Sequence, residues 1–139
     1  MKSIAGNGFV DKTSLLLKKT LDLRMQNQQV IAGNVANAQT PGYEAKRLEF
    51  EGALRRAVEG QGYEVSVTHP RHISTHGGSI ARVQGSISTI PATRGVGDGN
   101  SVDVDKEMVL LAQNQLMYEA SAQLLNKKMG IIKYVVQGN

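Results

Sequence analysis

The sequence predicts a mainly α-helical fold, in which long N- and C-terminal helices pack as an antiparallel coiled coil with a small irregular β element between them. Apolar residues recur at helical spacing near both ends of the 139-residue chain, as in helices with one apolar face. The intervening segment is rich in Gly, Ser and Thr. Aromatic residues are scarce, with no Trp, two Phe and four Tyr. Burial must therefore rest mainly on aliphatic side chains, a palette suited to helix packing.

The first helix is predicted over residues 11–38, after a flexible N-terminus at residues 1–10. Leu16, Leu23 and Val30 repeat every seven residues, the interval of coiled coils. Polar residues interrupt this face, so the helix is expected to be only marginally stable in isolation and to need packing partners. Its predicted packing residues are Leu17, Leu21, Ile31 and Val35.

The last helix, predicted over residues 101–139, has a stronger pattern. Its apolar positions alternate by three and four residues through four heptads, with Gln115 as the polar member. Leu110, Met117, Leu124 and Ile131 widen the stripe. One partner helix cannot cover so broad a face, so adjoining subunits are expected to cover the remainder. The predicted packing residues are Met108, Leu111, Tyr118, Leu125, Met129 and Ile132.

The middle of the chain is predicted to contain little regular structure. Residues 39–60 are interpreted as a turn and connecting segment, and residues 61–100 as a small β or irregular region, partly disordered. Residues 63–67 alternate like a short strand, and residues 80–90 are predicted to supply one or two more. The Gly-rich residues 94–100 are expected to form a flexible hinge before the last helix. A helix bundle completed by part of this region is the alternative architecture.

Composition argues against several classes of function. Cysteine is absent, which excludes disulfides and thiolate sites. His69, His72 and His76 lie close together, but residues 68–79 contain no carboxylate to complete a metal site. The glycine-rich residues 95–99 lack the Gly-Lys-Ser/Thr ending of a phosphate loop. We therefore expect no enzyme activity, no metal and no cofactor.

The charge and hydropathy patterns argue against nucleic-acid and membrane roles. The net charge is +4, but the basic residues form scattered pairs with acids between them, which is typical of a solvated surface. A basic nucleic-acid-binding helical protein remains the more distant alternative. No run of apolar residues is long enough to insert into a membrane. The N-terminus lacks the apolar core of a cleaved signal peptide.

The end of the first helix carries the most specific motif. The stretch Asn34-Val35-Ala36-Asn37-Ala38-Gln39-Thr40-Pro41-Gly42-Tyr43 predicts a helix exit, with a left-handed Asn37 at the C-cap. Pro41 and Gly42 suit the centre of a type II turn. Asn34 and Asn37 share one helix face, where their amides could bond the backbone of a neighbour. The predicted assembly motif comprises Asn34, Ala36, Asn37, Thr40, Pro41, Gly42 and Tyr43.

This motif, together with a C-terminal heptad helix, resembles the signature of the bacterial flagellar rod and hook family. The stretches Gly99–Met108, Tyr118–Lys128 and Thr68–Ile73 are similar to a proximal-rod member. The resemblance implies a structural subunit that polymerises through its terminal helices into the hollow drive shaft of motility. It also implies a location in the basal-body rod of the periplasmic space, reached without signal cleavage. Another rod subunit of the same family is the nearer alternative.

The same resemblance implies partners and an export signal. The expected partners are other flagellar rod subunits and the chain itself, an adaptor between the MS ring and the rod, and the flagellar type III export gate. Phe50 and Leu54 match the Phe-x-x-x-apolar form of the signal that this gate recognises in early substrates. The alternative is that the two side chains pack one helical turn apart.

Overall fold

The computed structural model describes residues 11–59, 78–92 and 97–138. The predicted flexible N-terminus, the strand at 63–67 and the three histidines lie outside these residues. Four helices and two strands follow one another in the described part of the chain: α1 (Lys12–Ala36), β1 (Ala45–Glu49), α2 (Glu51–Glu59), α3 (Gly78–Ala81), β2 (Ser86–Ile90) and α4 (Val104–Gln137).

The two long helices pack against each other in antiparallel orientation. Asn34, near the end of α1, contacts Glu107, near the start of α4, whereas Asp11, just before α1, contacts Lys128. The helices have 25 and 34 residues, so α4 is longer by roughly 13 Å at ~1.5 Å per residue. Long terminal helices with a two-stranded sheet between them confirm the predicted fold class.

Polar caps fix where both long helices begin. The Asp11 carboxylate accepts a hydrogen bond from the Ser14 N–H at 2.9 Å, and the Asp103 carboxylate accepts one from the Lys106 N–H at 3.2 Å. Each satisfies a backbone donor that the first helical turn leaves free. At the other end of α4, Gly138 adopts a φ of +59°, the left-handed conformation that commonly ends helices.

The two strands pair antiparallel, with Ala45 opposite Ile90 and Glu49 opposite Ser86. The second strand lies within the predicted range of 80–90, although that range begins with the short helix α3. The first strand and α2 lie where only a turn and a connection were predicted. Gly85, just before β2, lies close to the Leu48 side chain. A Cβ at this position would lie 2.5 Å from Leu48 Cδ1, which favours glycine here.

A small apolar core lies between α1, α2 and α3. Its buried members are Leu23, Phe50, Ala57, Ile80 and Val83. α1 is the element shared by both halves of the structure, since it contacts α4, β1 and α3. None of the described helices is long and apolar enough to cross a membrane.

Candidate assembly surface

The Asn34 side chain connects α1, β1 and α4, and both its donor and its acceptor atom have hydrogen-bond partners. Its Nδ2 donates to the Lys46 carbonyl at 2.8 Å and to Glu107 Oε2 at 3.1 Å. Its Oδ1 accepts from the Lys46 N–H at 2.8 Å and from the Tyr43 hydroxyl at 3.3 Å. The predicted bond to a neighbouring backbone is therefore made to β1 of the same chain, and the residue is 0% exposed. Asn34 ties α1 to β1 and α4 of its own chain.

Asn37 caps α1 as predicted, but not in the left-handed conformation. Its φ is −103° and its ψ is 13°. The side-chain Nδ2 donates to the Gly33 carbonyl at 2.8 Å, so a carbonyl at the helix end is satisfied without reversing the backbone. The chain turns later, where the Tyr43 N–H bonds the Thr40 carbonyl at 3.2 Å and Gly42 has a φ of +72°. Both features fit the predicted type II turn.

The segment before α4 is hydrogen-bonded to this turn. The Asn100 Nδ2 donates to the carbonyls of Asn37 and Thr40, both at 2.8 Å. Backbone bonds join Gly42 N to Asp98 O at 2.9 Å and Ser101 N to Tyr43 O at 3.0 Å. We call residues 98–101 the clasp.

Of the predicted flexible hinge at residues 94–100, residues 97–100 are described, and residues 98–100 are hydrogen-bonded to the turn. Ser101 adds a link to the sheet, since its hydroxyl accepts from the Ala45 N–H at 2.8 Å and donates to the Ile90 carbonyl at 2.6 Å. Gly99 has a φ of +79°, a backbone conformation that glycine adopts without steric strain. The stretch therefore connects the end of α1, the sheet and the start of α4 through hydrogen bonds.

Three polar contacts, which we call rungs, cross the seam between α1 and α4. In the first, the Glu107 carboxylate is 0% exposed and accepts from both Asn34 and the Arg47 guanidinium. In the second, the Asn27 Nδ2 donates to Asn114 Oδ1 at 3.0 Å, and the Asn114 Nδ2 donates to the Arg24 carbonyl at 2.8 Å. Charge pairing and hydrogen bonding offset the cost of burying these groups.

The third rung is the ion pair between Asp11 and Lys128. The Lys128 ammonium donates to the Asp11 carboxylate, and the Ser14 backbone N–H does so as well. The Lys128 hydrogen bond is the main cause that lowers the pKa of Asp11 from 3.8 to about 2, because it stabilises the charged form. This pair is partly exposed, so it is screened by solvent more than the Glu107 pair.

The predicted packing residues of α1 are all buried or half-buried. Ile31 is buried, and Leu17, Leu21 and Val35 are half-buried. In α4, the row Leu111, Tyr118, Leu125 and Ile132 is half-buried. Met108 and Met129, by contrast, are 51% and 44% exposed. Their packing role stays a prediction about contacts between subunits.

The second seam row of α4 is polar. The fully buried residues of this helix are Glu107 and Asn114, and Ser121 and Lys128 continue at intervals of seven as half-buried residues. We call these four residues the polar row. The hydropathy of the sequence could not identify the polar row, because polar side chains are expected at the protein surface. The informative signal was the recurrence of polar residues every seven positions in the same helix as an apolar repeat.

Much of the apolar surface of α4 remains uncovered in the single chain. Leu116 is 67% exposed, Leu124 56% and Ile131 66%. We call the exposed large apolar residues of this helix the outer face: Val104, Met108, Val109, Leu116, Met117, Leu124, Met129, Ile131, Tyr134, Val135 and Val136. An exposed surface of this extent on one helix is typical of an association site.

The assembly motif and the export motif differ in accessibility. Ala36, Thr40, Pro41 and Gly42 are exposed, whereas Tyr43 is half-buried. Phe50 is 4% exposed and belongs to the core, and Leu54 packs against it. The Leu54 N–H bonds the Phe50 carbonyl at 2.9 Å. Phe50 and Leu54 thus pack one helical turn apart in the folded chain, as in the alternative interpretation.

Several curated proteins are similar to this chain over most of its length, although no family model matches it. It is 33% identical to the flagellar basal body rod protein FlgB of Escherichia coli, covering 94% of this chain and 100% of the relative. The protein of the same name from Salmonella typhimurium is 32% identical over 87% of this chain and 90% of the relative. That from Bacillus subtilis is 39% identical over 80% of this chain and 82% of the relative.

Proposed function

This chain belongs to the FlgB family of flagellar basal body rod proteins, and from that premise we propose that it is a structural subunit of the proximal flagellar rod. The observation that carries the proposal is the outer face of α4. The hairpin with α1 leaves this apolar surface exposed, so other subunits must cover it if the assembled protein is to exclude water from it. The relatives are named as rod components, which indicates a structural role.

Polymerisation follows from the geometry of the hairpin. Long antiparallel helices with an apolar outer face can pack side by side with copies of themselves and with related rod subunits. Contacts that join different surfaces of successive copies generate an open helical array when the rotation does not close. In the rod, Met108 and Met129 would then pack against neighbours. The array is the wall of the hollow drive shaft for motility.

The exposed part of the assembly motif has a different role from its buried part. Asn34 and Asn37 have their side-chain bonds inside the chain, so they shape the end of α1. Thr40, Pro41 and Gly42 are exposed at the turn and are available to neighbouring subunits. The motif therefore acts in assembly by presenting this turn in a fixed position.

The remaining partners and the location are part of the same proposal. The subunit assembles with other rod proteins and with an adaptor that joins the MS ring to the rod. It reaches the periplasmic space through the flagellar type III export gate, without cleavage of a signal peptide. These statements are supported by the membership of the family and by the sequence of the export motif.

Replacement of outer-face residues tests the proposed role. Leu124→Asp combined with Ile131→Asp places two charges on the outer face, and we expect loss of rods and of motility in a bacterium whose own copy is deleted. Asn126→Asp is the control, because it adds a charge at an exposed polar position of the same helix. Basal bodies isolated from each strain would be imaged. Normal rods in the double variant would contradict the proposal.

Export requires a separate experiment because Phe50 also stabilises the core. We infer that the gate reads Phe50 and Leu54 in the unfolded chain, since Phe50 is buried after folding. Phe50→Ala should reduce secretion strongly, whereas Leu23→Ala, which truncates another core residue, should not. Equal secretion of the two variants would show that Phe50 has only a structural role.

A further inference from the structure

α4 could present either of two neighbouring faces to α1. One is the polar row, Glu107, Asn114, Ser121 and Lys128. The other, the apolar row, is formed by Leu110, Met117, Leu124 and Ile131, which also repeat every seven residues. Each member of the apolar row follows a member of the polar row by three residues, which places it roughly 60° around the helix. A small rotation of α4 would exchange the two faces.

Hydrophobic burial alone would favour the apolar row at the seam, because burying apolar surface is the main favourable term in helix packing. The structure shows the opposite arrangement. Glu107 and Asn114 are 0% and 2% exposed, whereas Met117 and Leu124 are 51% and 56% exposed. Some other interaction must therefore fix the orientation of α4.

The rungs provide that interaction. Asn114 bonds both the Asn27 side chain and the Arg24 carbonyl, and Glu107 bonds both Asn34 and Arg47. A rotation that brought the apolar row to α1 would separate all of these partners. The polar groups would then lose their hydrogen bonds, and any of them left buried would carry a large desolvation cost.

The clasp cannot fix this rotation by itself. Its bonds to the turn come from residues 98–101, before the first residue of α4 at Val104. It sets where α4 begins along the axis of α1. The orientation of the helix about its own axis is then left to side-chain contacts along the seam.

We propose that the polar rungs are rotational determinants that hold the apolar row of α4 away from α1 and keep it available to other subunits. This inference deepens the proposed function and rests on it for the identity of those subunits. The central rung is the hydrogen bond between the Asn27 and Asn114 side chains. Buried polar residues have the same effect in coiled coils, where they select one arrangement at some cost in stability.

Disulfide cross-linking of the purified full chain measures the rotation, because the chain has no cysteine of its own. Leu17 precedes Asn27 by ten residues, and Leu124 follows Asn114 by ten, so they lie at matching heights in the antiparallel pair. Leu125 is next to Leu124 but on the half-buried side of α4. The two test pairs are Leu17→Cys with Leu125→Cys, and Leu17→Cys with Leu124→Cys.

With the rungs intact, the Leu125 pair should form its disulfide several-fold faster than the Leu124 pair. Adding Asn27→Leu and Asn114→Leu should reverse this preference while preserving helix content, measured by circular dichroism. The matched control is Gln26→Leu with Gln113→Leu, which adds the same side chains at exposed positions next to the rung. It should leave the preference unchanged.

Three results would overturn the inference: no preference in the chain with intact rungs, an unchanged preference after the leucine substitutions, or loss of helix content in that variant. The last result counts because a buried leucine pair should stabilise the hairpin. Rod incorporation of the leucine variant is measured separately and should be lost. The disulfide preference is independent of the rod, so it can fail while the rod assignment stands, and the reverse is also possible.

Discussion

Asn34, a residue of the predicted assembly motif, is bonded to three residues of its own chain. All of its hydrogen-bonding atoms are used by Tyr43, Lys46 and Glu107. An amide suits the position because it donates and accepts at once, which no carboxylate can do when ionised. The selection of Asn at this site is therefore explained by the folding of the single chain.

Asn34→Asp should destabilise the chain although the side chains have nearly the same shape. The new carboxylate would face the Glu107 carboxylate, which is buried, and would lose both donated bonds. We expect the free energy of unfolding to fall by about 2–4 kcal/mol, measured by urea denaturation. Glu107→Gln in the same chain should recover part of this loss, because its amide can donate. A loss no larger than that of Asn126→Asp would contradict the assignment.

The Asp11 pair predicts a pH dependence of stability. The folded pKa of Asp11 is about 2 and its ordinary value is 3.8, so the charged form is favoured by folding. The contribution is complete above 3.8 and is lost as the pH falls towards 2. Asp11→Asn should therefore reduce the change in unfolding free energy across this range. Lys128→Met, which removes the main cause of the shift, should have the same effect; a full wild-type response in both variants would rule out the pair as its source.

At the scale of elements, the long helices were predictable because their signals are local. The recurrence of Leu, Ile and Val at intervals of three, four and seven is encoded within each helix, and the caps at Asp11 and Asp103 mark their starts. Their antiparallel arrangement also follows from two helices at opposite ends of a chain with a returning middle segment.

β1 and α2 were missed because their stability comes from distant parts of the chain. β1 has five residues, three of them charged, and is fixed by pairing with β2 and by Asn34. α2 has nine residues and is held by Phe50 and Ala57 in the core with α1 and α3. Segments this short are only marginally stable in isolation. Their sequences therefore give weak local signals for secondary structure.

The orientation of α4 about its own axis could not be predicted for a related reason. The sequence interpretation placed Met108 and Gln115 on the seam because they continued an apolar repeat. The buried row lies one residue earlier, at Glu107 and Asn114. Only the partners of these polar groups distinguish the two settings, and those partners lie in α1 and β1.

Asn100 should control how firmly α1 is joined to α4. Its side chain donates two hydrogen bonds to the end of α1 and accepts one from the Val102 N–H at 2.7 Å. Asn100→Ala should lower the free energy of unfolding by about 1–3 kcal/mol. Hydrogen exchange should accelerate at the amides of Gly42 and Ser101, which the clasp protects.

The matched control for the clasp is Asn126→Ala, because Asn126 is exposed on α4. It should leave the exchange of both amides unchanged. If Asn100→Ala also leaves them unchanged, the clasp is held by its backbone bonds alone, and the side chain of Asn100 contributes nothing to joining the helices.

At the scale of the whole molecule, apolar residues fall into two populations. One fills the core between α1, α2 and α3, where Ile80 is 0% exposed. The other forms the outer face of α4, where Leu124 is 56% exposed. A protein that functions as a free monomer would gain little from the second population, whereas a subunit of a polymer needs it. Stability of the chain and assembly of the rod should therefore depend on different residues.

Truncation of one residue from each population tests this separation. Ile80→Ala should lower the free energy of unfolding of the purified chain by about 2–5 kcal/mol, because it leaves a cavity in the core. Leu124→Ala should change it by no more than about 0.5 kcal/mol, yet it should reduce incorporation into rods more than its effect on stability can explain. Urea denaturation and quantification of the chain in isolated basal bodies supply the two measurements. Equal destabilisation by both substitutions would mean that Leu124 is covered within its own chain, and the outer face of α4 could not then be the surface on which the rod is built.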